Sequence, residues 1–443
     1  MNQPLLPSVE IGSGLRAYVR LLRHGPAAQP FLAALIARLP IAMAPLGILL
    51  LVQDERGAYA VAGFVTGAFA VGCASGTPLW GRLMDRFGQT RVLLPTACAS
   101  SGFLAALALA TIWGGGTALL VTLSLLAGLT FPPMSAAIRA AWRVVFPDAE
   151  SRRVAFALDA TSIELIFVGG PLLLSLLLAF FPPVVPLLVT AGLMASGGIA
   201  YCRTQAARLS RPHHLLPAEL RPEGTSDVAP ARQRGTALTA SGVSALLVVM
   251  LALSIGFGQL DTSMAATAGE LLGGTEHVGL LFAAIAGGST IGGLIFGTRS
   301  WPFDERRAVP FLLTIFAVLL SVMAWLMSLP SVSLWVVMPL LVFTGCTIAP
   351  TLIMQQSLLD HLSPAHRLNE AQAFLSASNT TGAAVGTALA GILIDFHGLD
   401  WSFGGAALAA GGAALIALLS QSHWRTASQA IESVEAPSAG GPG

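Results

Sequence analysis

Apolar residues in this chain come in long blocks rather than in the two-residue alternation of strands. Blocks of about twenty residues recur, separated by short connections carrying Gly, Pro, Asp or Arg, which is the length a helix needs to cross a bilayer. They predict helices at 30–52, 58–80, 92–112, 117–141, 154–180, 183–203, 240–267, 277–298, 309–328, 332–357, 370–394 and 399–421. A helix apolar all round needs an apolar solvent, either a large core or lipid. Between the sixth and seventh lies 204–238, with Pro212, Pro217, Pro222 and Pro230 among mixed charges, a linker by composition. The chain therefore divides into an N-terminal segment 1–27, a bundle at 28–203, the linker, a second bundle at 239–425 and a polar, disordered tail at 426–443.

Composition makes lipid the solvent. Of 443 residues, 54% are hydrophobic and 10% charged, against about 25% charged in soluble domains. The chain is an all-α, polytopic membrane protein, and a net charge of +1 argues against nucleic acid as a partner. All its basic residues except histidine are arginine, and their placement is one-sided. Arg82, Arg86, Arg91, Arg143, Arg152, Arg153, the linker arginines, Arg299, Arg306, Arg307 and Arg367 fall on one set of connections. The opposite set holds only Arg56, flanked by Asp54 and Glu55. The positive-inside bias thus puts both termini and the linker in the cytoplasm. The first 25 residues lack a signal-peptide pattern; Leu15, Val19 and Leu22 beside Arg16, Arg20 and Arg23 predict a basic helix lying on the membrane surface. Cys73, Cys98, Cys202 and Cys346 stand singly, as small packing residues without metal spacing.

The two halves repeat. Gly63, Gly72, Gly76, Gly81, Phe87 and Arg91 recur 216 residues later as Gly279, Gly288, Gly292, Gly297, Phe303 and Arg307. At an offset of 217, Gly128, Pro133, Pro147 and Gly169 recur as Gly345, Pro350, Pro364 and Gly386. A near-constant offset across several helices predicts two six-helix parallel repeats.

Between the second and third helices lies Gly81-Arg82-Leu83-Met84-Asp85-Arg86-Phe87-Gly88-Gln89-Thr90-Arg91, read as a tight charged hairpin. Gly81 and Gly88 permit close approach and left-handed angles, and Asp85 is its only acid. This order resembles the signature loop of the major facilitator superfamily, matching at Gly81, Leu83, Asp85, Arg86, Gly88 and Arg91 and departing at Gln89 and Thr90, where the family usually has basic residues. The resemblance covers about residues 28–425 and implies a twelve-helix alternating-access transporter, with a solute cavity between its halves. In the family this loop faces the start of the eleventh helix. Asp85 is therefore expected to latch the cytoplasmic side on that helix's positive dipole end beside Glu370, or on Arg139 and Arg143 of the fourth helix. The second half has Trp301 where the first has Asp85, so only the first carries a gate acid.

Charges inside spanning helices mark function or buried pairs. Arg38 lies in the first helix, Asp159 and Glu164 in the fifth, Asp261 in the seventh. Glu164 stands ~15 Å along its helix, near the midplane. Asp159 and Glu164 are about 140° apart around the helix and share no face. Each acid is a proton-coupling candidate; the competing reading is a permanent ion pair with Arg38. Gly169-Gly170-Pro171 predicts a kink and resembles the Gly-Pro core of an antiporter motif, whose other glycines are replaced by Ile166, Leu174 and Ser175. An ordinary kinked helix is the alternative. Gln355, Gln356 and Asn379 are polar candidates for the cavity, or else join helices. Enzymatic patterns are missing: without lysine no phosphate-binding glycine loop exists, and His213-His214 has no further ligand nearby. No metal and no cofactor are expected.

The reading is a monomeric cell-membrane transporter of a small organic solute, proton-coupled and directed outward. Proton-coupled import of a sugar, amino acid or other metabolite is the alternative within the class. A non-transporting sensor or scaffold is the alternative outside it.

Overall fold

The computed structural model describes residues 23, 25–146, 149–209, 242–297, 305–363 and 368–435. Among them the regular structure is helical, and twelve helices are long and apolar enough to span a membrane. They are Gly25–Arg56, Tyr59–Met84, Gln89–Ile112, Thr117–Val145, Val154–Leu178, Val184–Arg203, Val243–Leu272, Thr275–Phe296, Arg306–Met327, Leu334–Leu359, Phe374–His397 and Leu399–Thr426, called here the first to twelfth spans. The expected number and order stand; the ends move by a few residues.

Two spans are broken where proline dictates. The first divides at Leu39 into Gly25–Arg38 and Pro40–Arg56. Pro40 has no N–H to offer and fits the first position of a new helix. The fourth divides into Thr117–Leu129 and Met134–Val145 around Pro132 and Pro133. In the fifth, by contrast, the helix Ala149–Leu178 is unbroken through Pro171.

Three expectations need correction. The stretch 81–91 is a tight turn between helices, as expected, but narrower than the eleven residues read for it: helix runs to Phe87 and resumes at Gln89, with Gly88 at φ 90° between them. Gly81 is helical with open space around it, so it serves neither as a turn nor as a close contact. The linker begins with a short helix, Gln205–Leu209, whose Ala206 and Ala207 are buried in the core beside Trp142. The last helix runs on to Glu435, beyond the expected start of the tail. The surface helix around Arg16 and Arg20, Trp301, and the linker from 210 to 241 lie outside the described residues.

The chain packs as two units, Met1–Gly57 with Ala68–Ala229, and Ala58–Gly67 with Pro230–Gly443. Inside the first, the second and fourth spans touch backbone to backbone. A Cβ at Gly72 or Gly76 would strike the carbonyl oxygen of Leu125 or Leu129, and one at Gly128 would strike that of Phe69. Trp80 Nε1 adds a 2.6 Å hydrogen bond to the Leu129 carbonyl. Inside the second unit the same seam recurs between the eighth and tenth spans. Gly288 lies on the Val342 carbonyl, Gly292 on that of Cys346 and Gly345 on that of Ile285. Each contact maps onto its counterpart at the offsets of 216 and 217 read from the sequence.

The second unit holds a further seam, between 58–67 and the eleventh span. Gly63 abuts Thr387, Gly67 abuts the Ala384 carbonyl and Gly391 lies on the Tyr59 backbone. Asp395 closes it by accepting from the Tyr59 and Ala60 N–H groups at 2.9 and 2.6 Å. A carboxylate there satisfies two of the N–H groups that a helix start leaves unpaired.

Gly128→Ala and Gly345→Ala are each expected to cost about 1–3 kcal/mol, the usual penalty of overpacking. Gly169→Ala, which meets nothing within 4 Å, is expected to be neutral. Thermal unfolding of the purified variants in detergent measures this; a neutral Gly128→Ala would remove the seam from the account.

Candidate functional site

The polar centre of the first unit is built at the break in the first span. Arg38 ends the helix Gly25–Arg38, and its Nε donates to the Ala34 carbonyl at 3.3 Å. Its Nη1 donates to Asp159 Oδ1 at 2.7 Å and its Nη2 to Ser162 Oγ at 3.1 Å. The Ser162 hydroxyl donates to the Asp159 carbonyl at 2.7 Å. Both charged side chains are 4% exposed. From the fourth span, Arg139 brings Nε to 3.7 Å from Asp159 Oδ2, with its side chain 57% exposed. One carboxylate thus faces two guanidinium groups. Of the two expectations for Asp159, the ion pair with Arg38 is the arrangement present.

Beside it lies a neutral relay. Tyr201 donates to Gln89 Oε1 at 3.0 Å, and Gln89 Nε2 donates to the Ala137 carbonyl at 3.0 Å. Gln89, noted in the sequence only as a departure from the signature loop, thus ties the third, fourth and sixth spans. Phe31, Trp142 and Phe146 pack next to these groups, with ring centroids 6.2 and 5.9 Å apart. Tyr201 and Ser162 went unnoticed in the sequence. Ser162 was findable, since it stands one turn beyond Asp159 on the same helix face.

The second unit carries the same joint without charge. Ser254 Oγ donates to Asn379 Oδ1 at 2.7 Å. Ser254 and Asn379 are the repeat counterparts of Arg38 and Ser162, at offsets of 216 and 217. Asn379 is therefore a helix-joining group here. One turn further along, Gly170 abuts Ala42 in the first unit, and Gly258 abuts Thr387 in the second. The glycine has changed sides of the joint, which is why the sequence match of Gly169 with Gly386 was misleading. Gly169 packs against nothing, while Gly386 lies on the Ile255 carbonyl.

Asp261 sits two turns along the seventh span from Ser254, on the same stripe. Its flanking residues Leu260 and Thr262 are buried, but its own side chain is exposed and makes no hydrogen bond or ion pair among the described residues. Gln355, in the tenth span, is 1% exposed, and neither of its amide atoms finds a partner among those residues. Gln356 beside it is exposed.

At the signature stretch, Arg82, Arg86 and Arg91 are exposed, and Leu83 is partly buried against the core that contains Met84 and Trp142. The Arg86 guanidinium lies over the Phe87 ring at 5.2 Å. Arg143 is exposed. The side chains of Asp85, Glu164 and Glu370 lie outside the described residues. Among the described residues no group of three or more His, Cys, Asp or Glu is placed to hold a metal ion.

A sequence profile described as Major Facilitator Superfamily matches residues 30–298 and 245–439. No curated protein matches the chain. Among solved structures, the nucleoside transporter NupG is similar at 14% identity and TM-score 0.63, over 92% of this chain and 100% of that one. A structure of a proton-dependent oligopeptide transporter is similar at 12% identity and TM-score 0.60, over 90% of this chain and 99% of that one.

Asp159→Asn strands Arg38 as a buried, uncompensated cation and is expected to cost about 3–5 kcal/mol. Replacing both, Arg38→Met with Asp159→Leu, is expected to recover most of that loss. Thermal unfolding of the three proteins decides; a double variant no more stable than the single would show that the pair is not a buried ionic unit.

Proposed function

Because the chain belongs to the major facilitator superfamily, a family of secondary transporters, we propose that this multi-pass membrane protein exports a small organic solute by alternating access, driven by the inward proton gradient. The observation that carries the coupling is Asp261. It stands about 5 Å from the middle of the 30-residue helix Val243–Leu272, inside the ~30 Å hydrocarbon layer. An acid at that depth is costly when ionised, by about 2.5–3.5 kcal/mol on insertion scales, unless it is paired or hydrated. Asp159 escapes that cost through Arg38 and Arg139. Asp261 has no such partner among the described residues, and its exposed side chain leaves the carboxyl open to proton exchange. Protonated from one side and released to the other, it couples solute movement to proton movement.

Asp85 serves in this reading as the latch on the cytoplasmic side, a role supported by the signature sequence around it. Glu164 remains a second proton-carrying candidate on sequence grounds. The one-sided arginines support cytoplasmic termini in the cell membrane, and a monomer is the working unit.

The test uses the purified protein in liposomes with an imposed pH gradient, screened against drugs, nucleosides, peptides, sugars and amino acids. The wild type is expected to move its solute against the proton flow. Asp261→Asn is expected to lose gradient-driven flux while keeping solute exchange at equal pH. Flux that ignores the gradient, or an Asp261→Asn protein coupled like the wild type, would overturn the assignment. Solute moving with the protons would establish import in place of export. Asp85→Asn is expected to slow transport without lowering the unfolding temperature; unchanged transport would remove the latch.

A further inference from the structure

Where the start of the first span meets the end of the sixth, the first unit has an open groove of about 360 Å³. Its long wall is apolar, made by Leu32, Ala33 and Ile36 of the first span and Ala200 of the sixth. Leu32 and Ile36 are one helical turn apart on one face, at 52% and 38% exposure. The wall belongs to two apolar membrane-spanning helices, the first with Leu32, Ala33 and Ile36 and the sixth with Ala200, and its exposed apolar side chains suit contact with lipid.

The other end of the groove is polar. Gln29, Arg203 and Thr204 close it. Thr204 is already committed: its hydroxyl donates to the Tyr201 carbonyl at 2.7 Å and accepts the Ala207 N–H at 3.3 Å. That hydroxyl fixes the sharp step from the sixth span into Gln205–Leu209, and with it the position of Arg203. Arg203 itself is exposed and makes no hydrogen bond or ion pair among the described residues. Arg208, in the short helix that follows, is also exposed, with no ion pair among the described residues. Of the described residues lining the groove none is acidic.

We infer that this groove binds an anionic phospholipid of the surrounding bilayer, with one acyl chain along Leu32, Ile36 and Ala200 and the phosphodiester on Arg203 and Gln29. Three features select this class. The apolar wall opens to lipid, which favours an amphiphile over a water-soluble anion. The guanidinium offers paired N–H donors that match phosphate oxygens. A zwitterionic headgroup would bring an ammonium to a place with arginines and no described carboxylate, so negative net charge is preferred. Basic pockets between spans at the arginine-rich face are the recurrent form of such sites. The wall and the charge come from different elements, and the Thr204 cap holds the two together.

The experiment is native mass spectrometry of the purified full-length protein in detergent, titrated with dioleoylphosphatidylglycerol or dioleoylphosphatidylcholine. The wild type is expected to hold phosphatidylglycerol adducts at least about fivefold more tightly than phosphatidylcholine, the scale of one arginine near a membrane surface. Arg203→Gln is expected to erase that preference, and Arg203→Lys to keep most of it. Ile36→Trp, which fills the groove, is expected to weaken adducts of both lipids. Equal binding of the two lipids by the wild type would overturn the site. So would an Arg203→Gln protein that keeps the preference at unchanged thermal stability. Loss in Arg203→Gln accompanied by unfolding is resolved by Arg203→Lys: a folded lysine variant without the preference also overturns it.

Discussion

Close backbone contact is the constraint on which this structure rests. In lipid, burying a leucine against another helix gains little, because the acyl chains it leaves are as apolar as the neighbour it meets. What remains is the gain from bringing helices close enough for backbone packing, and only glycine allows that closeness. Gly128 against Phe69 and Gly345 against Ile285 show the principle at its limit, since a single methyl would strike a carbonyl oxygen at either place. The contacts recur at matching positions in both units. They are therefore the geometry that the repeat preserves, while the side chains around them have changed.

What has changed is charge. The joint between the first and fifth spans and that between the seventh and eleventh occupy equivalent places. One is closed by Arg38 on Asp159 and Ser162, the other by Ser254 on Asn379. A neutral hydrogen bond avoids the desolvation that a buried ion pair must offset. The ionic version is thus no better as a fastener. Its distinguishing property is that Arg139, more than half exposed, also reaches the same carboxylate. A solvent-accessible second cation gives this joint access to an alternative pairing that the neutral joint lacks.

Much of the fold was legible because its determinants are local in the chain. Span length is set by apolar run length, and the repeat by glycine spacing. The two helix breaks, at Leu39 and at Thr130–Pro133, were not read from the sequence, where 30–52 and 117–141 are continuous apolar runs, although prolines stand at both. The site was legible in part. Arg38 and Asp159 stood out as charges in apolar surroundings, and their pairing was one of two readings; spacing cannot choose between partners 121 residues apart. Gln89 and Tyr201 were hidden because neither is unusual where it stands, and their meaning lies in meeting each other. Gly169 misled for the opposite reason: its spacing was right, but the close contact had moved to its neighbour Gly170.

Asp261 and Asp159 differ in what they touch: one is exposed and without an ion pair among the described residues, the other buried and paired. Both lie on spanning helices, and either residue type would be read from sequence as a proton site. Asp159 is held by a guanidinium at 2.7 Å. That contact, with Arg139 at 3.7 Å on the other oxygen, ties the carboxylate into the joint. Asp261, by contrast, is exposed and has no cation beside it among the described residues. A carrier must be able to adopt both forms within the working range of pH, and a fixed cation beside it works against that. The ion pair therefore suits a structural joint in the first unit, and Asp261, without an ion pair among the described residues, is the acid left open for the proposed proton exchange. The division follows from what each carboxylate touches, and not from where it falls in the repeat, since Asp261 has Pro45 as its counterpart and Asp159 has Ser376.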